Sequence, residues 1–134
     1  MSTNLPDYCA EVSATPYLKH NDIELIEYHK GYCKGRIRIQ DFHKNLNGSV
    51  HGGCIFSLSD AVAVYTAMTD GTITTTMNAS INYLFPVINT EYLYCVGKTI
   101  KSGKTVTVVR TELYDDNEKL LAEGSFSCFN VGMR

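Results

Sequence analysis

No uninterrupted apolar stretch in this chain approaches the roughly 20 residues that a membrane-spanning helix needs, and no N-terminal segment joins basic residues to a hydrophobic run. Neither a spanning helix nor a secretory leader is expected. Charge of one sign is also missing: 12 Lys and Arg stand against 14 Asp and Glu, a formal net charge of -2, which gives no basic field to hold nucleic acid or an anionic membrane. Cysteine pairs spaced C-x-x-C are absent. The five cysteines (Cys9, Cys33, Cys54, Cys95 and Cys128) are odd in number and scattered, a pattern that argues against a disulfide framework and against a zinc site. Reduced thiols in a cytoplasmic protein are the expectation. The four histidines (His20, His29, His43 and His51) show no metal-ligand spacing, and neither G-x-S-x-G nor G-x-G-x-x-G occurs.

What is present is a chain of 134 residues, 44% hydrophobic and 19% charged, long enough to bury a core without covalent or metal staples. Residues 1–20 read as an N-terminal lead-in, with a short helix from Asp7 to Ala14 between Pro6 and Pro16. Residues 21–134 read as one domain. Alternation of apolar and polar residues from Ile23 to Ile39, broken by Lys30-Gly31, predicts a hairpin. After a polar loop, residues 52 to about 69 predict a helix that is apolar on nearly every face. Asp70-Gly71 ends it. Four β-rich segments follow, Ile73–Phe85, Glu91–Ile100, Thr105–Tyr114 and Lys119–Phe129, and the short turns between them predict an antiparallel meander. The expected architecture is α+β, a sheet wrapped round one long helix. One small sheet cannot cover such a helix on all sides, so a second subunit is expected to pack against it.

The chemistry-bearing residues gather where the polar loop meets the helix. In Asn45-Leu46-Asn47-Gly48-Ser49-Val50-His51-Gly52-Gly53, the glycines fall at a helix start, where free N–H groups and the helix dipole favour a developing oxyanion. The same glycines also fit a simple tight entry into the helix. Asp60 is acidic among Leu58, Ala61, Val62 and Val64, where a carboxylate is either partnered or used; Ser57, Ser59 and Tyr65 are nearby candidates to bond it. Since Asp60 follows His51 by nine residues, about two and a half turns, the two side chains of one subunit need not meet. Cys54 shares a helix face with His51, but a small thiol on a packed helix more commonly belongs to the core. Ser102-Gly103-Lys104-Thr105 echoes the end of a phosphate-binding loop, yet the earlier glycine would fall at Lys98 and the segment joins two strands, which excludes a true P-loop.

Taken together, Asn45, Gly48-Ser49-Val50-His51-Gly52-Gly53, Leu58-Ser59-Asp60, the run from Thr72 to Tyr83-Leu84-Phe85-Pro86, and Lys101-Ser102-Gly103-Lys104 resemble the hotdog-fold acyl-CoA thioesterases, in particular the phenylacetyl-CoA thioesterase-like branch. The resemblance runs from about Asp22 to Phe129. It implies a hotdog fold, a homodimer with active sites at the interface, and a homotetramer built from two such dimers. It further implies hydrolysis of an aromatic or medium-chain acyl-CoA, with coenzyme A as part of the substrate and no separate cofactor; that no metal, nucleic acid or membrane is expected follows from the spacing, charge and hydropathy above. By the same resemblance Gly52 donates its N–H to the thioester carbonyl, Asn45 helps polarise that oxygen and His51 orients the loop. Asp60 of the other subunit is then base or nucleophile, and Thr76 is the hydroxyl residue that positions water. Lys101, Gly103 and Lys104 are the implied coenzyme A contacts, with Tyr83 lining the pocket. Phe85 stands where relatives often carry Arg. A non-catalytic acyl-CoA-binding module is the alternative, and the joint presence of Asn45, His51, Gly52 and Asp60 speaks against it.

Overall fold

Burial alternates residue by residue along β2 (Tyr32–Arg38) and β5 (Val106–Tyr114), and along β1 (Ile23–His29) and β4 (Tyr92–Ser102) outside the bulge that follows Leu25 and the exposed end beyond Thr99, as it must when one face of a pleated sheet lies on a core and the other on solvent. The structure, a computed structural model, describes residues 5–133 and the side chains of residues 8–133. The first helix runs Leu5–Ser13, against an expected Asp7 to Ala14. Two further strands, β3 (Thr72–Tyr83) and β6 (Leu120–Met133), complete one antiparallel sheet in the order β1-β2-β4-β5-β6-β3. Among the described residues three α-helices accompany it: α1 (Leu5–Ser13), α2 (Pro16–His20) and the long α3 (Gly52–Ala67).

The hairpin of β1 and β2 turns at Lys30-Gly31, where Gly31 takes a φ of 76°. The β4-β5-β6 segment is the expected meander. β3 does not begin it. Instead of pairing with β4, β3 pairs with β6 at the far edge. The connection after Tyr83 is too long for a hairpin and is tied across the end of the sheet. Leu84 and Phe85 donate backbone bonds to Leu121 on β6, Val87 accepts from Val50, and Glu91 accepts from Ile39 beyond β2. The chain thereby travels from one sheet edge to the middle, and Pro86, with no N–H to offer a ladder, lies on that path.

Close approach of α3 to the sheet rests on missing side chains. A Cβ on Gly97 would sit 2.4 Å from Thr66 Oγ1 and 2.9 Å from Val62 Cγ1, and one on Gly35 would sit 2.8 Å from Val62 Cγ2. Both glycines lie on adjacent strands, each paired with a buried cysteine: Gly35 with Cys95 and Gly97 with Cys33. These four small residues make a shallow seat into which Val62 and Thr66 descend. Leu58 and Val62 are fully buried, worth roughly 1.5–3 kcal/mol each relative to exposure. Ser59, buried on the same helix, is satisfied by the sheet, its Oγ lying 2.7 Å from Thr111 Oγ1 on β5.

The N-terminal helices contribute to this core, since Tyr8, Cys9, Val12 and Leu18 are buried within it. Ser13 Oγ accepts the Leu25 N–H on β1 at 2.9 Å. At the opposite edge β3 has a strand neighbour on one side only. Along and beyond that edge Met77, Tyr83, Leu84 and Phe85 are each about half exposed.

Candidate active site

α3 begins as the sequence predicts. His51 is its N-cap, with extended backbone and Nδ1 accepting the Gly53 N–H at 3.2 Å, while the His51 carbonyl accepts from Cys54 and Ile55. Those bonds engage the first-turn donors except that of Gly52, whose N–H has no acceptor among the described residues. An unengaged N–H at the positive end of a 16-residue helix is suited to an anionic oxygen. Gly52 is held from the other side too: Tyr83, the last residue of β3, donates its phenol proton to the Gly52 carbonyl at 3.1 Å. Partial burial pushes the Tyr83 phenol up from its ordinary value, so it remains a donor at neutral pH. Beside them lies a cleft of about 230 Å³ lined by Val50, Ile55, Tyr83, Leu84, Phe85 and Val87, with Gly52 and Pro86.

Asn45 shapes the approach to this helix start. Its side-chain nitrogen donates to Ser49 Oγ at 2.9 Å and its side-chain oxygen accepts the Asn47 N–H at 2.9 Å, closing a turn in which Gly48 takes a φ of 83°. Buried His43 supports the same loop from below, accepting from the Gln40 N–H at Nδ1 and offering its carbonyl to the His51 N–H.

Asp60 lies further along α3, in a second cluster. It is half-buried, and its Oδ1 accepts a hydrogen bond from Thr76 of β3 at 2.7 Å. None of the residues near it in sequence serves it. Ser59 bonds Thr111, Ser57 bonds the Gly53 carbonyl and Tyr17, and Tyr65 packs edge-on against Tyr8. The partner comes from a strand sixteen residues away. Behind Thr76, Cys128 is its register partner on β6, fully buried. Burial, and then the Asp60 charge, push the Cys128 thiol up to about 11. Sequence reasoning passed over Cys128, because the β3–β6 pairing that puts it there is not between successive strands.

Lys101, Gly103 and Lys104 form a third group. Their turn is fixed: Gly103 cannot carry a Cβ, which would lie 2.4 Å from the Val106 carbonyl, and Asn130 donates to the carbonyls of Gly103 and Lys104. Ser102 donates to Asp70 just past the C-terminal end of α3, so within one chain these lysines stand about a helix length, roughly 24 Å, from Gly52. The fold thus brings Gly52, His51 and Tyr83 together, joins Asp60 to Thr76, and leaves the lysines at the opposite end. Among the described residues no group of three or more His, Cys, Asp or Glu could hold a metal ion, and no helix is long and apolar enough to cross a membrane.

A six-stranded antiparallel sheet around one long helix that enters through His51-Gly52 defines a hotdog-fold protein, and the comparisons give the family. Residues 47–122 match the model of the thioesterase superfamily, so the chain belongs to that superfamily and is a thioester hydrolase. A Saccharolobus solfataricus protein named "Putative esterase" is 30% identical over 112 residues, covering 82% of this chain and 79% of that protein. An Archaeoglobus fulgidus protein with the same name is 26% identical over 110 residues, covering 82% of this chain and 71% of its own length. Among solved structures, a Streptococcus mutans protein bound to acetyl-CoA superposes with a TM-score of 0.80 at 27% identity, over 84% of this chain and 90% of that one. The PaaI protein of E. coli, from the phenylacetic acid degradation operon, superposes with a TM-score of 0.88 at 21% identity over 96% and 93%, a likeness of fold.

Proposed function

We propose that the protein hydrolyses an aromatic or medium-chain acyl-CoA to free acid and coenzyme A, in sites that each take residues from two copies of the chain. The observation that carries this is the separation, within one chain, of the free Gly52 N–H from the Asp60–Thr76 pair, beside a β3 edge with no neighbour. Gly52 lies at Tyr83 and Asp60 lies at Thr76. An antiparallel pairing of β3 with the β3 of a second copy, centred between Ala79 and Ser80, sets Thr76 of one copy opposite Tyr83 of the other. That register delivers Asp60 to the second copy's Gly52. The same two-fold carries Lys101, Gly103 and Lys104 towards the other copy's helix start, where two cations suit the phosphates of coenzyme A.

In this reading the Gly52 N–H and the dipole of α3 hold the thioester oxygen, with Asn45 assisting and His51 fixing the loop. Water attacks the carbonyl carbon as Asp60 of the other copy takes its proton, and Thr76 orients the carboxylate. The tetrahedral intermediate then expels the coenzyme A thiolate, which recovers the proton from Asp60, leaving free acid and thiol. Direct attack by Asp60 gives the same products through an anhydride; single-turnover hydrolysis in heavy-oxygen water separates the routes, since only the second leaves label in Asp60. The acetyl-CoA bound by the Streptococcus mutans protein supports coenzyme A esters as the substrate class, and the apolar cleft at Tyr83 and Phe85 supports an apolar acyl group. Two such dimers assemble as a tetramer in the cytoplasm.

Thiol release from a panel of acyl-CoA esters tests the proposal. Wild type is expected to favour phenylacetyl and medium-chain esters, and Asp60→Asn to be slower by about 10²- to 10⁴-fold, the range for loss of a general base. Equal hydrolysis by the two proteins removes Asp60 from the mechanism.

A further inference from the structure

We infer that a second cleft, floored by Phe85 and rimmed by Lys119, takes the adenine nucleotide end of coenzyme A. The inference rests on the reading of coenzyme A esters as the substrate class. The cleft holds about 420 Å³ and adjoins the one at Gly52, since Phe85 and Pro86 line both. A thioester held at the Gly52 N–H therefore has a path for its arm across those two residues. The volume is within the range of small-ligand sites. Phe85, Pro86, Ile88 and Leu121 give apolar wall for a base, Phe85 and Ile88 being each about half exposed. The side-chain amides of Asn89 and Asn117 also line it and make no hydrogen bond among the described residues. An amide donates and accepts at once, as the adenine edge does.

Lys119 supplies the charge. Its Nζ lies 3.9 Å from the centroid of the Phe85 ring, and among the described residues no carboxylate is within ion-pair distance of it. A cation resting on an aromatic face keeps N–H donors for a phosphate. The turn that presents it, residues 115–119 between β5 and β6, is closed by its own bonds: the Asp115 N–H donates to the Lys119 carbonyl at 3.1 Å, and the Lys119 N–H to Asp115 Oδ1 at 2.9 Å. That oxygen also accepts from the Asn117 N–H, and the Asp116 carboxylate accepts from the N–H groups of Glu91 and Tyr92. These two carboxylates are thus committed to backbone donors, and Glu118 does not line the cleft. The two-fold proposed above brings further positive charge. With Thr76 of one copy opposite Tyr83 of the other, Thr72 at the start of β3 falls beside residues 84–87 of the other copy. Asp70 bonds both Thr72 and Ser102, so Lys101 and Lys104 are carried towards the cleft that holds the other copy's Lys119.

The test compares one acyl group on coenzyme A and on pantetheine, which carries the same thioester without the nucleotide. Expected is a ratio of kcat/KM, coenzyme A ester over pantetheine ester, that falls about tenfold in Lys119→Gln, the scale of one hydrogen bond to a charged group. In Lys119→Glu it is expected to fall further, in both variants through a higher KM for the coenzyme A ester. An unchanged ratio in both variants overturns the inference. So does an equal loss on the two esters, which would assign Lys119 to the acyl or pantetheine part. Calorimetric titration with coenzyme A alone runs alongside, because it needs no turnover. Weaker coenzyme A binding by Lys119→Gln, in a protein that hydrolyses no ester, overturns the proposed reaction and upholds the cleft. Hydrolysis of the esters with equal coenzyme A affinity in wild type and Lys119→Gln removes Lys119 alone.

Discussion

Tyr83, the last residue of β3, reaches the carbonyl of Gly52, the first residue of α3, with its phenol proton at 3.1 Å. This bond links the end of an unpaired sheet edge to the peptide that follows the candidate oxyanion donor. Because Tyr83 is half exposed, Tyr83→Phe is expected to leave stability within about 0.5 kcal/mol of wild type. Its kcat/KM is expected to drop about fivefold, the worth of one hydrogen bond. A thermal melt beside the acyl-CoA assay checks both; an unchanged kcat/KM makes the bond incidental to the chemistry.

The seat of α3 predicts a position-specific cost. Gly97→Ala places a methyl 2.4 Å from Thr66 Oγ1 and 2.9 Å from Val62 Cγ1. Neither neighbour yields easily: both are β-branched residues of a helix, and the Thr66 hydroxyl is bonded to the Val62 carbonyl at 2.6 Å. A loss of about 1–3 kcal/mol is expected from overpacking. Gly132→Ala, with nothing within 4 Å of the added carbon, is expected to change stability by less than about 0.5 kcal/mol. Urea midpoints for the pair decide it, and similar values would refute the close-packed seat.

How far the sequence discloses this molecule depends on the range of the interaction. Lys30-Gly31, Asp70-Gly71 and the Gly52-Gly53 helix entry are local signals, and the hairpin, the end of α3 and its N-terminus fall where those residues put them. The alternation in β4 and β5 likewise reports a face that is buried wherever the strand sits. Strand order is different. Nothing in the alternation of Thr72–Tyr83 tells whether its neighbour is β4 or β6, and the connection through Pro86 decides the matter by crossing the sheet end. The Asp60 partner fails for the same reason: Ser57 and Ser59 are near in sequence, but Thr76 is near in space only once β3 lies at the edge beside α3. Cys128 is two steps further from view, opposite Thr76 through a pairing between strands that are not successive.

Buried thiols give a pH dependence whose sign can be worked out. Burial pushes both Cys54 and Cys128 up to about 11, with the Asp60 charge adding to the effect at Cys128, whereas in the unfolded chain a thiol titrates near about 8.5. A folded value above the unfolded one means that this stabilisation is complete below about pH 8.5 and is lost as pH rises through about 11. Unfolding midpoints in urea are expected to hold from neutral pH to about pH 8.5 and then fall. Replacing both residues with serine, which does not ionise in that range, is expected to flatten part of the fall. A double variant that follows the wild-type alkaline curve would assign the decline to other groups.

The β3 edge supplies the strongest test of how the site is assembled. Met77 lies on this edge and is 58% exposed in the single chain, so an aspartate there keeps its charge in water in the single chain. In a pair of β3 strands joined about a two-fold between Ala79 and Ser80, each Met77 falls within the interface, and an aspartate at 77 of each copy buries a charge that has no partner. Met77→Asp is therefore expected to keep the wild-type far-ultraviolet circular dichroism while its mass by light scattering drops to that of one chain. Thiol release should fall together with the mass, by about 10²-fold or more, because no copy then receives the base that completes its oxyanion donor. A monomeric Met77→Asp with full activity would show that Gly52 and Asp60 serve the same substrate within one chain, and a dimeric one would show that the copies meet along some other surface.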